Sequence, residues 1–298
     1  EKMRQDEETR ERFPAIDWHA LWADDSEEEW IIEPLLPARR LVALYSAPKV
    51  GKSLLMLELA FHISCGRTFL GATPPKSYRV LYVDFENDPK SDTRDRLKSM
   101  GVTPDELGNL VMLSFPTMAA LDSASGAEQL MAAVSAYGCE VVVVDTVSRA
   151  IKGEENENDT WLNFYRHTGL ALKQAQVALI RLDHSGKDET KGQRGGSAKS
   201  GDVDAVWRMS TVVEDRVYRL DCEAARLPIT EKALVIHRHT TPNLGHRVDA
   251  AGVMAVRRAE VEGIIELLDA NGMPDDATNE DVREFLRLRG KGKSNDKI

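Results

Sequence analysis

One stretch constrains the rest of the chain: Ser46-Ala47-Pro48-Lys49-Val50-Gly51-Lys52-Ser53, set between the apolar run Arg40 to Tyr45 and the segment Gly51 to Gly66 (GKSLLMLELAFHISCG). The run reads as a buried strand, and the segment as a helix closed by a C-terminal glycine. A turn that joins them aims backbone N–H groups and the positive end of the helix at an anion. Lys52 is then placed to reach the β- and γ-phosphates of a nucleotide, and the Ser53 hydroxyl to ligate Mg²⁺. Ala47, Pro48, Lys49, Val50, Gly51 and Leu54 complete the expected cradle. Ser46 departs from the pattern GxxxxGK[ST], which begins with glycine, but GKS between a strand and a helix keeps the phosphate-binding reading.

Length and composition set the bounds. The 298 residues, 42% of them hydrophobic, suffice for a full α/β core and one small appended domain. No apolar run approaches the length that crosses a bilayer, so no membrane association is expected. The charged start EKMRQDEETRER has no apolar stretch behind it that could act as a signal peptide. The three cysteines, Cys65, Cys139 and Cys222, lack metal-ligand spacing and read as reduced core residues of a cytoplasmic protein. A net charge of −10 argues against a surface that coats nucleic acid, while leaving room for a locally basic channel. A chain that starts at Glu1 and stops at Ile298 inside an unfinished element is expected to be part of a longer one.

Residues 1–28 form an expected N-terminal arm. Its first dozen residues are charged and predict frayed chain. Trp18, Leu21, Trp22 and Trp30 among acids predict a short amphipathic element packed on its own core or on a neighbouring subunit. Residues 29–250 carry the core. A second strand, Arg79 to Asp84, runs into Phe85-Glu86-Asn87-Asp88, which puts a carboxylate at the C-terminal edge of a parallel sheet, where α/β proteins bind ligands. Glu86 could orient and deprotonate the attacking water, while Asp88 could be only a helix N-cap. Strands are expected at Leu110 to Phe115 and Glu140 to Thr146, with a helix near Gly126 to Tyr137 between them. Four consecutive valines suit a strand covered on both faces, and Asp145 after them suits Mg²⁺.

Ser148 to Thr160 reads as a solvated acidic loop, although Arg149 and Lys152 could contact a nucleic-acid strand. A helix at Trp161 to Gln174 and a strand at Val177 to Leu182 lead to Asp183-His184. The glycine-rich Ser185 to Gly201 carries Lys187, Lys191, Arg194 and Lys199, which could track a nucleic-acid backbone, reach a neighbour's phosphates or simply be solvated. Val203 to Met209, Arg216 to Cys222 and Ala233 to His239 predict closing strands, the last two antiparallel, with Arg226 between them as a further basic contact. The Pro242 to Asp249 stretch reads as a loop. Residues 251–298 predict a small helical module. Two short helices and a basic turn there resemble the start of a helix-turn-helix, though an oligomerisation or lid domain fits nearly as well.

Taken together, SAPKVGKS, VLYVDFEND, VVVVDT, LDHSGK and RGGSAKSGDVDAVWRM follow the order of the RecA-like P-loop ATPases. The set most resembles the RepA-like hexameric replicative helicases and their phage and plasmid relatives. The resemblance spans Glu29 to His239 and implies an α/β fold with a mostly parallel sheet. It implies Lys52 and Ser53 as the Walker A pair, Glu86 as catalytic glutamate, Asp145 as Walker B aspartate and His184 as the sensor of the γ-phosphate. Arg194 resembles an arginine finger acting on a neighbouring subunit, with Lys191 and Lys199 as alternates. The expectation is a Mg²⁺-dependent ATPase forming a hexameric ring on single-stranded DNA, with other replication proteins as further partners. Two alternatives stay open: an ATP-gated helicase loader, and a regulatory DNA-binding ATPase without unwinding activity.

Overall fold

The computed structural model describes residues 2–185, 198–248, 264–265, 267–274 and 278–288. Nine strands form one sheet in the order β11-β10-β9-β8-β3-β7-β6-β4-β5. In chain order these are β3 (Leu41–Ser46), β4 (Val80–Asp84), β5 (Leu110–Ser114), β6 (Val141–Asp145), β7 (Ala178–His184), β8 (Ala205–Val213), β9 (Val217–Ala225), β10 (Ala233–His239) and β11 (Gly245–Val248). The six strands from β8 to β5 run parallel, and β9, β10 and β11 extend the sheet as an antiparallel meander. The Pro242 to Asp249 stretch, expected as a loop, therefore contains a strand. Its Gly245–Val248 run pairs with Ile236 to His239, a tertiary pairing that four residues of mixed polarity do not announce.

The central strands β3, β4 and β6 are buried along their whole length and carry apolar or aromatic side chains up to a polar last residue, because both faces are covered. Val141 to Val144 are all fully buried, two facing each layer. On one face the helix α3 (Lys52–Cys65) packs Leu55, Leu59, Ala60 and Ile63 against Val42, Leu44, Val80 and Val143. The opposite face receives α5 (Ala124–Tyr137) and the helical stretch Asn158–Gln174, with Leu130, Trp161, Phe164 and Leu172 over Leu41, Val142 and Leu179. That stretch, expected as one helix, is α7 (Asn158–Phe164) and α8 (Leu170–Gln174) joined by a wider turn at Tyr165–Gly169. Gly169 keeps this turn close to β3: a Cβ there would stand 3.1 Å from the side chains of Leu41 and Tyr165, which would have to give by a few tenths of an ångström.

The N-terminal arm departs from expectation in its first residues, and its aromatic element does not take up the first of the two packings expected of it. Residues predicted to fray form α1 (Lys2–Arg12), fully exposed and carrying an Arg4–Glu8 pair one turn apart at 3.1 Å. In α2 (Trp18–Trp22), Asp17 caps the first turn by accepting from the His19 and Ala20 amides, yet Trp18, Leu21 and Trp22 do not pack on the chain's own core and are 62%, 51% and 82% exposed. Core contact begins only at β1 (Trp30–Ile32), which pairs with β2 (Leu36–Pro37). In the C-terminal region, residues 264–265 and 267–270 are helical, Asn271 and Gly272 turn, and α10 (Asn279–Leu288) follows. Thr278 caps α10, since its Oγ1 accepts from the Asp281 amide at 3.3 Å while its own amide donates back to the Asp281 carboxylate at 2.8 Å. The basic tail, on which the helix-turn-helix reading depended, lies outside the described residues. Among the described residues, no helix is long and apolar enough to cross a membrane.

Candidate active site

Parallel register collects the polar ends of four adjacent strands at one sheet edge. Ser46 at the end of β3 faces His184 at the end of β7, and Asp84 at the end of β4 faces Asp145 at the end of β6. The phosphate loop leaves β3 at this edge and turns into α3, with Gly51 as N-cap at φ 109° and Lys49 also left-handed at φ 67°. Ala47, Pro48, Lys49, Val50 and Gly51 make the turn, while Lys52, Ser53 and Leu54 open the helix. The first free N–H groups of α3 thus lie beside the ends of β3 and β7.

Lys52 is 5% exposed, and its Nζ donates to Ser46 Oγ at 3.1 Å and approaches His184 Nδ1 at 3.5 Å. Burial lowers its pKa, opposed by the charges of Asp145, Glu86 and Asp183. Ser46, the departure from the glycine pattern, therefore supplies a resting partner for the lysine. His184 is lowered as well, first by burial and then by the Lys52 charge, which keeps the imidazole neutral near pH 7.

Asp145 is fully buried, and burial pushes its carboxyl up to about 6 although the Ser53 and Tyr82 hydroxyls pull the other way. Its Oδ2 accepts from Tyr82 at 2.9 Å and from the Asn87 amide at 3.2 Å. Its Oδ1 makes no hydrogen bond of proper geometry among the described residues, although the Ser53 hydroxyl lies close enough to lower the carboxyl's pKa. A buried carboxylate oxygen of this kind near the Ser53 hydroxyl fits a divalent cation, and Mg²⁺ takes few protein ligands because phosphate oxygens and waters supply the rest. No cluster of three or more His, Cys, Asp or Glu metal ligands occurs among the described residues.

Glu86 lies just past β4 with its side chain 30% exposed. Its Oε1 accepts from the Thr146 hydroxyl at 3.0 Å and stands 3.5 Å from Arg149 Nε and 3.9 Å from His184 Nε2. The turn that carries Glu86 is held by Asp84, whose Oδ1 accepts from the Glu86 and Asn87 amides, both at 2.9 Å. Asn87 in turn accepts from Arg96 at 2.9 Å. Sequence reasoning missed Asp84, Asn87 and Thr146 as parts of the site. The clue was present in the polar run after each apolar strand, which the parallel register aligns. Asp88 caps the next helical turn, accepting from the Lys90 and Ser91 amides, as its reading as a helix N-cap expects.

Two basic candidates are placed elsewhere. Lys199, in the short α9 (Ala198–Gly201), is 1% exposed rather than presented to a strand or a neighbouring subunit. Its Nζ lies 2.7 Å from Asp183 Oδ1, 3.3 Å from Glu155 Oε2 and 4.3 Å from the centre of the Trp161 ring. The acid and the aromatic face compensate its desolvation, so it serves the core. Arg226 is exposed and donates to the Gly201 carbonyl, while its own amide donates to Asp204 O at 2.8 Å. Asp204 precedes β8 at the edge where Leu41 begins β3, opposite the phosphate loop. Lys187, Lys191 and Arg194 lie outside the described residues.

A phosphate loop with a buried lysine, an acid ending the next strand but one and a glutamate beyond its neighbour define the class: a P-loop nucleotide-binding ATPase on a RecA-like, mostly parallel sheet. A family model described as an AAA domain matches residues 7–190, from the N-terminal arm through β7, and the chain belongs to that family. No curated protein matches it.

Proposed function

We propose that the chain is a Mg²⁺-dependent ATPase that assembles into a ring, a hexamer by resemblance, and moves along single-stranded DNA as a helicase or translocase in replication of a phage, plasmid or similar element. The observation that carries this reading is the position of His184. It stands between Lys52 at 3.5 Å and Glu86 at 3.9 Å, on the last residue of β7 and just ahead of the basic stretch Ser185 to Gly201. A group that touches both the phosphate-reaching lysine and the water-orienting glutamate feels whether a γ-phosphate is bound. Its strand leads directly into the residues expected to meet DNA or the next subunit.

In this mechanism the N–H groups of the phosphate loop and Lys52 bind and orient the β- and γ-phosphates. Ser53 and Asp145 would hold Mg²⁺, which when bound neutralises charge on the phosphate oxygens. Glu86, oriented by Thr146, takes the proton of the attacking water. Arg194 of an adjacent subunit would stabilise charge on the transferred group. The apolar side of α2, which finds no place on its own core, supports self-association.

Steady-state ATP turnover measured against protein concentration, with and without single-stranded DNA, tests the reading. A steep rise with concentration and stimulation by DNA are expected; slow turnover, linear in protein and indifferent to DNA, would overturn the motor. A forked duplex left intact by an active, DNA-stimulated ATPase would reassign it as a loader. Mixing Glu86→Gln with Arg194→Ala subunits should partly restore activity if the finger acts in trans.

A further inference from the structure

The site derived so far draws on β3, β4, β6 and β7, but the phosphate loop has a second neighbour from the antiparallel side of the sheet. Arg238, on β10, is separated from the loop by 188 residues, and its guanidinium NH2 donates to the Val50 carbonyl at 3.4 Å. The side chain is 15% exposed, lies over the Tyr218 ring at 4.6 Å and donates through Nε to His246 Nε2 at 3.3 Å. His246, buried on β11, uses Nδ1 to donate to Glu58 Oε2 at 2.6 Å, and its backbone amide donates to Glu58 Oε1 at 2.9 Å. Glu58 belongs to α3, the helix that the phosphate loop begins. The contacts close a ring: loop carbonyl, Arg238, His246, Glu58, and back along α3 to the loop. Asp215, 4.0 Å from the guanidinium and 89% exposed, is the other acid near Arg238 among the described residues.

We propose that Arg238 is a positioning residue for nucleotide binding, which orients the Val50–Gly51 peptide so that the Gly51 N–H is presented to phosphate. The peptide unit is planar and trans, so its carbonyl and its N–H point in opposite directions. A guanidinium holding the Val50 carbonyl on one side turns the Gly51 N–H to the other. Rotation of that peptide would instead present a carbonyl oxygen to an anion. The fit also explains Gly51 beyond its φ of 109°, because a Cβ there would lie 2.2 Å from Arg238 NH2. Stacking on Tyr218 and the bond to His246 hold the guanidinium at one angle, and the His246–Glu58 pair ties that angle to the helix that carries Lys52 and Ser53. A signal arriving at the β10–β11 hairpin would therefore reach the phosphate cradle by way of Arg238.

This inference rests on the reading of the loop as a nucleotide site, and the test separates the two. Binding of a fluorescent ADP analogue is titrated without DNA to wild-type protein, Arg238→Ala and Arg238→Lys, with circular dichroism and thermal melting confirming that each is folded. Wild type should bind. Arg238→Ala should raise the dissociation constant about tenfold, the size of one charge-assisted hydrogen bond. Millimolar guanidinium ion should recover part of that loss. Arg238→Lys should stay several-fold weakened, because an ammonium cannot serve the carbonyl and the histidine while stacked on a ring. If Arg238→Lys binds like wild type, charge alone suffices and the orienting role fails; if folded Arg238→Ala binds like wild type, the whole inference fails. Wild type that binds no nucleotide would instead remove the reading of the loop itself.

Discussion

Arg149 Nε stands 3.5 Å from Glu86 Oε1, the same carboxylate oxygen that receives the Thr146 hydroxyl at 3.0 Å. The glutamate expected to take a proton from water is thus held by two residues that directly follow the strand of Asp145. The arginine side chain is 68% exposed, so a phosphate from outside the chain can compete for it. Exposed pairs of this kind are worth about 1 kcal/mol at most, which corresponds to roughly fivefold in rate. Arg149→Ala is accordingly expected to raise DNA-free ATP turnover by up to about fivefold and to shrink the further stimulation by single-stranded DNA. A fall in DNA-free turnover would instead assign Arg149 to the nucleotide.

Lys52 and Glu86 should separate kinetically. Lys52→Ala removes the cation that meets the phosphates in both ground and transition states, so nucleotide affinity and turnover both fall, turnover by at least about 100-fold. Glu86→Gln keeps size and the Thr146 contact but cannot take a proton. It should lower kcat by roughly 100-fold or more while leaving the dissociation constant for ATP within about threefold. Lys52→Ala protein that hydrolysed ATP at the wild-type rate would sink the central assignment.

Asp145 makes the nucleotide-free protein less stable than it could be. Burial raises its carboxyl from an ordinary value near 4 to about 6. A raised acid contributes stability that is fully present below its unfolded pKa and is lost as pH rises through about 6. In metal-free buffer at pH 7.5, Asp145→Asn should therefore be more stable to urea than wild type, by on the order of 2–3 kcal/mol. The gap should close as pH falls toward 4. An unchanged or reversed difference at pH 7.5 would show that the carboxylate is not stressed in the fold.

Lys199 should report on stability rather than on DNA. It shares Asp183 with Arg181, which is fully buried, lies 4.6 Å from the Trp161 ring centre and is gripped by both oxygens of Asp202. Removing one partner of such a network leaves buried charge uncompensated, at a cost of about 3–5 kcal/mol. Lys199→Ala should show a lowered urea midpoint, with DNA affinity unchanged under conditions where the variant is folded. Loss of DNA binding without loss of stability would return Lys199 to the surface role its neighbours in sequence suggest.

Much of the site was readable because its signals are local. The turn from β3 into α3 is written in eight consecutive residues, and Glu86 and Asp145 follow closely on apolar runs. A run of valines buries itself on both faces whatever lies beside it. The same locality misleads for Lys199, which sits in a glycine-rich basic stretch and looks solvated. Its fate depends on Trp161 and Asp183, brought to it by the path of β7 and the packing of α7. The tryptophans of α2 are the converse case, amphipathic in pattern and yet unpartnered on the chain that carries them.

From its residues alone, the chain specifies a strand–loop–helix that binds phosphate, the order of acids that follows it, and the alternation of strands and helices that makes a parallel sheet. Packing across the sheet settled which cations face solvent, which oxygen of Asp145 is left without a hydrogen bond among the described residues, and that Arg238, held by His246, reaches the loop from the far hairpin. The reason is one of range. Backbone preferences and burial patterns act over a few residues and are recorded in order along the chain. The partner of a buried charge is chosen among groups that meet only once the strands are in register, and desolvation makes that choice too costly to leave unmade.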